Sequence, residues 1–161
     1  MHVLNVHRRV LAAPTVEAGK LMDGLGSPDD LLWPTDSWPR MRFNRELQVG
    51  ARGGHGPIGY EVTEYDPGSR VVFRFNRPRG FEGTHGFDLL PYAGGGCELV
   101  HTIEMEVSGL AVLSWWLVFG PLHDALLEDA LDRASALTGT AFRPATWSAW
   151  VRILRLVLLR R

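Results

Sequence analysis

Between residues 57 and 107 the chain alternates apolar and polar side chains, and turn residues interrupt it at nearly regular intervals. PIGYEVTEY (57–65), RVVFRFN (70–76), FEGTHGFDLL (81–90) and CELVHTIEMEV (97–107) are rich in β-branched and aromatic residues. DPGS (66–69), RPRG (77–80) and AGGG (93–96) separate them and supply the Pro and Gly that short hairpins need. Four strands linked this way dictate an antiparallel meander, and its apolar face has to be covered by another layer. After Gly109 the apolar period changes from two to that of a helix. LAVLSWWLVFGPLHDALLEDALDRASAL (110–137) reads as one long helix, bent at Gly120–Pro121, and it is the natural cover.

Upstream of the meander, HVLNVHRRVL (2–11) reads as strand one. Two short helices follow. TVEAGKLMDGLG is stopped by Gly24 and Gly26. SPDDLLW has Ser27 as cap, Pro28 in the first turn, and Asp29 and Asp30 facing the helix dipole. MRFNRELQV (41–49) alternates again, with Met41, Phe43, Leu47 and Val49 on one face. The fold expected is α+β: an antiparallel sheet of about six strands wrapped around a long C-terminal helix, with two short helices after strand one. Residues 1–139 form that domain, and residues 140–161 form a basic amphipathic helical extension.

A chain of 161 residues can bury a core without staples. Its net charge of −1 provides no basic field for nucleic acid, so none is expected as a partner. Cys97 is the single cysteine, which leaves no disulfide and no CxxC motif. The opening residues MHVLNVHRRV lack the apolar core of a leader, so a cytoplasmic location is expected. The longest apolar stretch, residues 110–122, is too short to span a bilayer.

The hairpin turns set a register, and the strand period sets the faces. Tyr60 falls opposite Phe75, Val62 opposite Phe73, Phe73 opposite His85, and Phe87 opposite His101. One face then carries Tyr60, Phe73, Phe75, His85, Phe87, His101 and Ile103. The other carries Glu61, Arg74, Asp88, Glu98 and Glu104. His85 and His101 lie diagonally on the apolar face. His123 shares a helical stripe with Leu127, Ala130 and Ala134. His55, in GGHGPIGY (53–60), and Trp33 fall at the rim. Each histidine has three readings: a satisfied core group, a polar contact to a ligand, or an acid–base group titrating near pH ~6.5. Glu64 and Asp124 are the nearest carboxylates to orient one. No HxH, HExxH or cysteine partner is present, so no metal and no cofactor are expected. Arg45 interrupts its strand's apolar face and either pairs with Glu64 or receives a ligand oxygen. In strand one, Leu4, Val6 and Val10 are expected inward, and Asn5, His7 and Arg9 outward.

The order of elements resembles the helix-grip fold of the START-like superfamily, also called SRPBCC. The superfamily includes lipid-transfer domains and bacterial polyketide aromatase/cyclases. The resemblance rests on RRVLAAPTVEAGKLM, on GPIGYEVTEYDPGSRVVFRF and on PLHDALLEDALDRA, and it covers roughly residues 3 to 138. It implies a deep cavity between sheet and long helix that holds a hydrophobic small molecule, and it implies no single reaction.

The expected function is therefore binding of a small hydrophobic molecule. Its contacts would be Tyr60, Phe73, Phe75, His85, Phe87, His101, Ile103, Arg45, Trp116 and His123. The alternative is a polyketide aromatase/cyclase-like enzyme using His85, His101 or Tyr60. A further alternative rests on residues 145–160, where Trp147, Trp150, Ile153 and Leu154 alternate with arginines through Arg160 and Arg161. Such a helix suits a membrane surface, a homodimer contact or a cover for the domain's own sheet.

Overall fold

A computed structural model describes residues 1–158. Its sheet has seven strands: β1 (His2–Leu11), β2 (Arg42–Phe43), β3 (Arg52–His55), β4 (Ile58–Asp66), β5 (Arg70–Arg77), β6 (Phe81–Pro91) and β7 (Cys97–Val107). They lie in the order β1-β7-β6-β5-β4-β3-β2, and every neighbouring pair is antiparallel. Helix α1 (Thr15–Asp23) follows β1. One long helical run covers the sheet: α2 (Ala111–Ser114), a π-helical turn (Trp115–Phe119) and α3 (Gly120–Leu137). Helix α4 is Ala149–Leu158. The α+β architecture, with a sheet gripping a long helix, is the one the sequence pattern predicts.

The hairpin registers hold. Tyr60 pairs with Phe75, Val62 with Phe73, Phe73 with His85, and Phe87 with His101. Thr63 is an extra residue in β4, a bulge that shifts the pairing between Val62 and Glu64 without turning the apolar face outward.

Three local expectations are corrected, and a fourth point concerns the tail. First, the sheet has seven strands because 41–49 is not one strand. Only Arg42 and Phe43 pair, and Asn44 ends the ladder by accepting the Arg52 N–H on its side-chain oxygen at 2.9 Å. The segment GGH then forms part of a strand of its own. A Cβ on Gly53 would sit 1.9 Å from the Arg42 carbonyl oxygen, and one on Gly54 would sit 2.0 Å from that of Ile58. These glycines therefore allow close approach of neighbouring strands.

Second, SPDDLLW is not helical. The Asp30 carboxylate accepts the N–H groups of Gly26, Leu32 and Trp33 at 2.8–3.0 Å and holds a loop instead. A short acidic side chain that takes local backbone donors competes with the helix.

Third, the faces of strand one are reversed. Leu4, at 62 % exposure, together with Val6 and Val10, lies on the outer face, while Asn5, His7 and Arg9 face the helix. Asp124, Glu128 and Asp132 recur every four residues on α3 and meet this polar row. Arg9 donates to Asp132 at 2.8 Å and to Glu128 at 3.0 Å. Helical acids that would otherwise be desolvated alone choose the cationic face of the edge strand. Val3 and Leu11, one at each end, are buried.

Fourth, the tail packs on its own domain. Trp147 and Trp38 both donate their indole N–H to Asp129, at 3.0 and 2.7 Å. The Arg155 guanidinium lies over both rings, 3.9 and 4.4 Å from their centroids. Val151 and Leu154 are buried. Pro121 has no N–H for the carbonyl of Leu117, four residues back. Trp150 Nε1 donates to that oxygen at 2.7 Å, so the helix irregularity docks α4. Arg160 and Arg161 lie outside the described residues. No helix among the described residues is long and apolar enough to cross a membrane.

Candidate functional site

A cavity of about 1070 Å³ lies between sheet and helix. Phe75, Phe81, His85, Phe87, His101 and Ile103 supply its sheet side. Trp115, Leu122, His123 and Leu126 are among its helix side, and Trp33, Trp38 and His55 close a third side. Strand period two explains the first group, and helical spacing explains the second. The third group depends on the Asp30 loop. That loop carries Trp33, whose ring centroid lies 4.7 Å from that of His55.

Most of the expected residues converge here. Phe75, His85, Phe87, His101, Ile103, His123, His55 and Trp33 all line the cavity. Tyr60 and Phe73 form a fully buried layer around His85, with centroids 4.7 and 4.9 Å from its ring. Four of the expected contacts are outside the lining: Tyr60 and Phe73 lie behind it, and Arg45 and Trp116 lie elsewhere. Arg45 is exposed and away from the cavity. Its expected partner Glu64 accepts from Arg70 at 2.9 Å, and Arg70 also pairs with Asp88. Trp116 is 65 % exposed, and Trp115 takes the inward position. The Gly120 N–H bonds to the Trp115 carbonyl, a five-residue step that rotates the helix before it against the helix after it. Counting by 3.6 from His123 therefore picks the wrong tryptophan.

His85 Nδ1 and His101 Nε2 are 3.4 Å apart. Their outer nitrogens, His85 Nε2 and His101 Nδ1, have no partner among the described residues. Either choice of tautomer leaves one unpaired N–H and one unpaired lone pair. Burial pushes both imidazoles well below their ordinary pKa, and neighbouring histidines add to the shift. Burial, with His123 nearby, pushes His55 down to about 3. Burial, with Asp30 nearby, raises the Tyr60 phenol well above its usual value. The cavity is thus an apolar, aromatic space containing neutral imidazoles.

Tyr60 and His55 form a second polar pair, Oη to Nδ1 at 3.1 Å. Tyr60→Phe is expected to cost about 1 kcal/mol by removing one partly buried hydrogen bond. Paired urea denaturation curves check this, and an unchanged midpoint would show the contact to be energetically idle.

His7 is the functional-type residue that the sequence reading turned the wrong way. Its Nδ1 is 2.8 Å from Glu128 and its Nε2 is 3.1 Å from Asp124. Burial lowers its pKa, but hydrogen bonds to Asp124 and Glu128 outweigh this and raise it overall. The available signal was the four-residue repeat of acids on the long helix. Asp124 therefore serves His7 and leaves the cavity pair without a carboxylate.

Comparison with family models and with curated protein sequences finds no match. Solved structures do match. A protein from Thermobifida fusca superposes with a TM-score of 0.58 at 17 % identity, covering 88 % of this chain and 98 % of that one. The di-domain ARO/CYC StfQ of the steffimycin biosynthetic pathway gives 0.63 at 14 %, covering 86 % of this chain and 51 % of that one, so this chain spans about half its length. Norcoclaurine synthase from Thalictrum flavum, in complex with dopamine and hydroxybenzaldehyde, gives 0.62 at 14 %, with 89 % and 90 % covered. At such identities the shared property is the fold.

Proposed function

We propose, from the helix-grip fold of the START-like superfamily that this chain adopts, that it binds a small, mostly apolar molecule in the cavity between sheet and helix. The observation that carries this reading is the His85–His101 pair. Two neutral imidazoles sit in an aromatic wall with one donor and one acceptor unspent. Buried polar groups normally find partners. A ligand hydroxyl, which both donates and accepts, suits the pair, and the aromatic wall suits a ring or chain behind it. The volume, about 1070 Å³, lies at the upper end of the range for small-molecule sites.

Titration with 8-anilinonaphthalene-1-sulfonate tests the cavity. The wild-type chain is expected to show saturable, one-to-one fluorescence. Ile103→Trp, which fills the sheet side, is expected to weaken binding by about tenfold or more, or about 1.4 kcal/mol. Equal binding to both proteins would place the dye elsewhere and remove the basis for the reading. Native mass spectra of fresh protein, compared with denaturing spectra, would then identify any natural ligand.

A polyketide aromatase/cyclase-like reaction is the second reading. A neutral imidazole of His85 or His101 can take a proton from an activated carbon. His101→Ala would abolish turnover on that reading, whereas a pure binder would show only a change in affinity. The exposed apolar side chains of α4, among them Ile153, Leu156 and Val157, are a third feature. They suit a membrane surface or a second copy of the chain.

A further inference from the structure

His7 on β1 and His123 and Asp124 on α3 bring one potential ligand atom each to within 4.8 Å of one another. Nitrogen and oxygen donors bind zinc at about 2.0–2.2 Å, so in a tetrahedron they stand roughly 3.3 Å apart. His7 Nε2 is 3.1 Å from Asp124 Oδ1, and His123 Nδ1 is 3.6 Å from the same oxygen. These two separations bracket the tetrahedral edge.

The surroundings are those of a ligand set. A metal-bound histidine normally gives its second nitrogen to a carboxylate. His7 Nδ1 already faces Glu128 Oε1 at 2.8 Å, and Glu128 is fixed in turn by Arg9 at 3.0 Å. The Asn5 amide donates to Asp124 Oδ1 at 2.9 Å and orients that carboxylate. An independent observation comes from His123. Both of its ring nitrogens are shut off from solvent, and neither has a hydrogen-bond partner among the described residues. The 3.6 Å separation from Asp124 is too long for a hydrogen bond. An imidazole orphaned at both nitrogens requires an explanation, and an ion supplies one.

We propose that His7, His123 and Asp124 form a site for one divalent first-row transition ion, of the zinc type, at the wall of the cavity. Two imidazoles and one carboxylate select such ions over calcium or magnesium. Three protein ligands leave a fourth position for water or for a ligand oxygen. His123 lines the cavity, so the ion would stand beside the bound molecule. No compact sequence motif announces the site, because its ligands come from opposite ends of the chain and meet only across the β1–α3 contact.

The test uses tag-free chain stripped with a chelator, then titrated with zinc by calorimetry and with cobalt by absorption. One ion per chain is expected, with cobalt bands of four- or five-coordinate intensity and no thiolate charge transfer. Glu128→Gln should weaken binding by about 10–100-fold, and His123→Gln or Asp124→Asn by more. His2→Gln should change nothing, because His2 lies near Glu104 rather than at this cluster. Circular dichroism checks that each variant folds. If one does not, the wild-type cobalt spectrum and Glu128→Gln decide the matter. A six-coordinate, aqua-like spectrum would overturn the proposal. So would affinity that survives His123→Gln and Asp124→Asn, or that is lost in His2→Gln. The dye titration requires no ion, so failure of the metal site and failure of the ligand-binding reading are separately visible.

Discussion

Lowering the pH from 7 to 5 is expected to cost the folded state on the order of 5 kcal/mol, because four cavity histidines, His55, His85, His101 and His123, are buried neutral. His55, His85 and His101 all have folded-state pKa values pushed below the ordinary 6.5, with burial as the largest cause. In the unfolded chain each takes up a proton as the pH falls below about 6.5, whereas in the fold each stays neutral. Burial lowers His123 as well, so the unfolded state then binds about four more protons, a slope of roughly 5 kcal/mol per pH unit. This contribution is fully present above pH ~6.5 and is lost as the pH falls. His7 has the opposite sign, since its folded pKa is raised. Its contribution is complete below ~6.5 and fades as the pH rises through the raised value, so it partly offsets the loss. Domains of this kind have only about 5–15 kcal/mol in hand, so a large fall in the urea midpoint by pH 5 is the expected outcome. Urea midpoints at pH 7, 6 and 5 measure it. A midpoint independent of pH over that range would mean that the fold accepts these protons.

Replacing both members of the His85–His101 pair by Leu is expected to stabilise the protein while impairing its site. The pair leaves one donor and one acceptor buried without partners, each costing about 1–3 kcal/mol in desolvation. Leucine fills a similar space among Tyr60, Phe73, Phe75 and Phe87, which already surround the two rings. A net gain of about 2 kcal/mol is therefore expected for the double variant at pH 7. Two of the four titrating groups disappear as well, leaving His55 and His123, so the acid slope should fall to about 2.7 kcal/mol per pH unit. The polar anchor for the ligand disappears with them. Groups that cost stability and serve binding are the usual signature of a functional site. Loss of stability at pH 7 in the double variant would make the pair a structural element and would remove the main support for the proposed ligand contact.

The sheet side of the cavity was legible from the sequence because it depends on local rules. Short hairpins fix register, and register fixes face; His85 and His101 could be placed inward and diagonal without any tertiary information. The helix side was legible from His123 onward and failed at Trp116, where a π-turn changes the count. On the third side the rim positions of Trp33 and His55 were legible, but their contact was not. Trp33 and His55 meet because Asp30 takes three backbone donors and Gly53 and Gly54 let strands close up, and neither effect has a periodic signal. Arg45 was misplaced because its strand ends at Asn44, two residues beyond the start of the pairing.

The architecture follows from local sequence pattern: a meander with one apolar face, followed by a helix long enough to cover it. Period two, period 3.6 and the Pro and Gly of the turns are short-range constraints, and they agree with one another. Only the tertiary structure decided which face of strand one turns inward. Both faces of HVLNVHRRV alternate equally well, so periodicity cannot choose between them. The choice falls to Asp124, Glu128 and Asp132, over a hundred residues away, which are stabilised by meeting His7 and Arg9 and would be costly to desolvate alone. That long-range pairing of charges brings His7 to His123 and Asp124, and with it the most reactive-looking corner of the molecule.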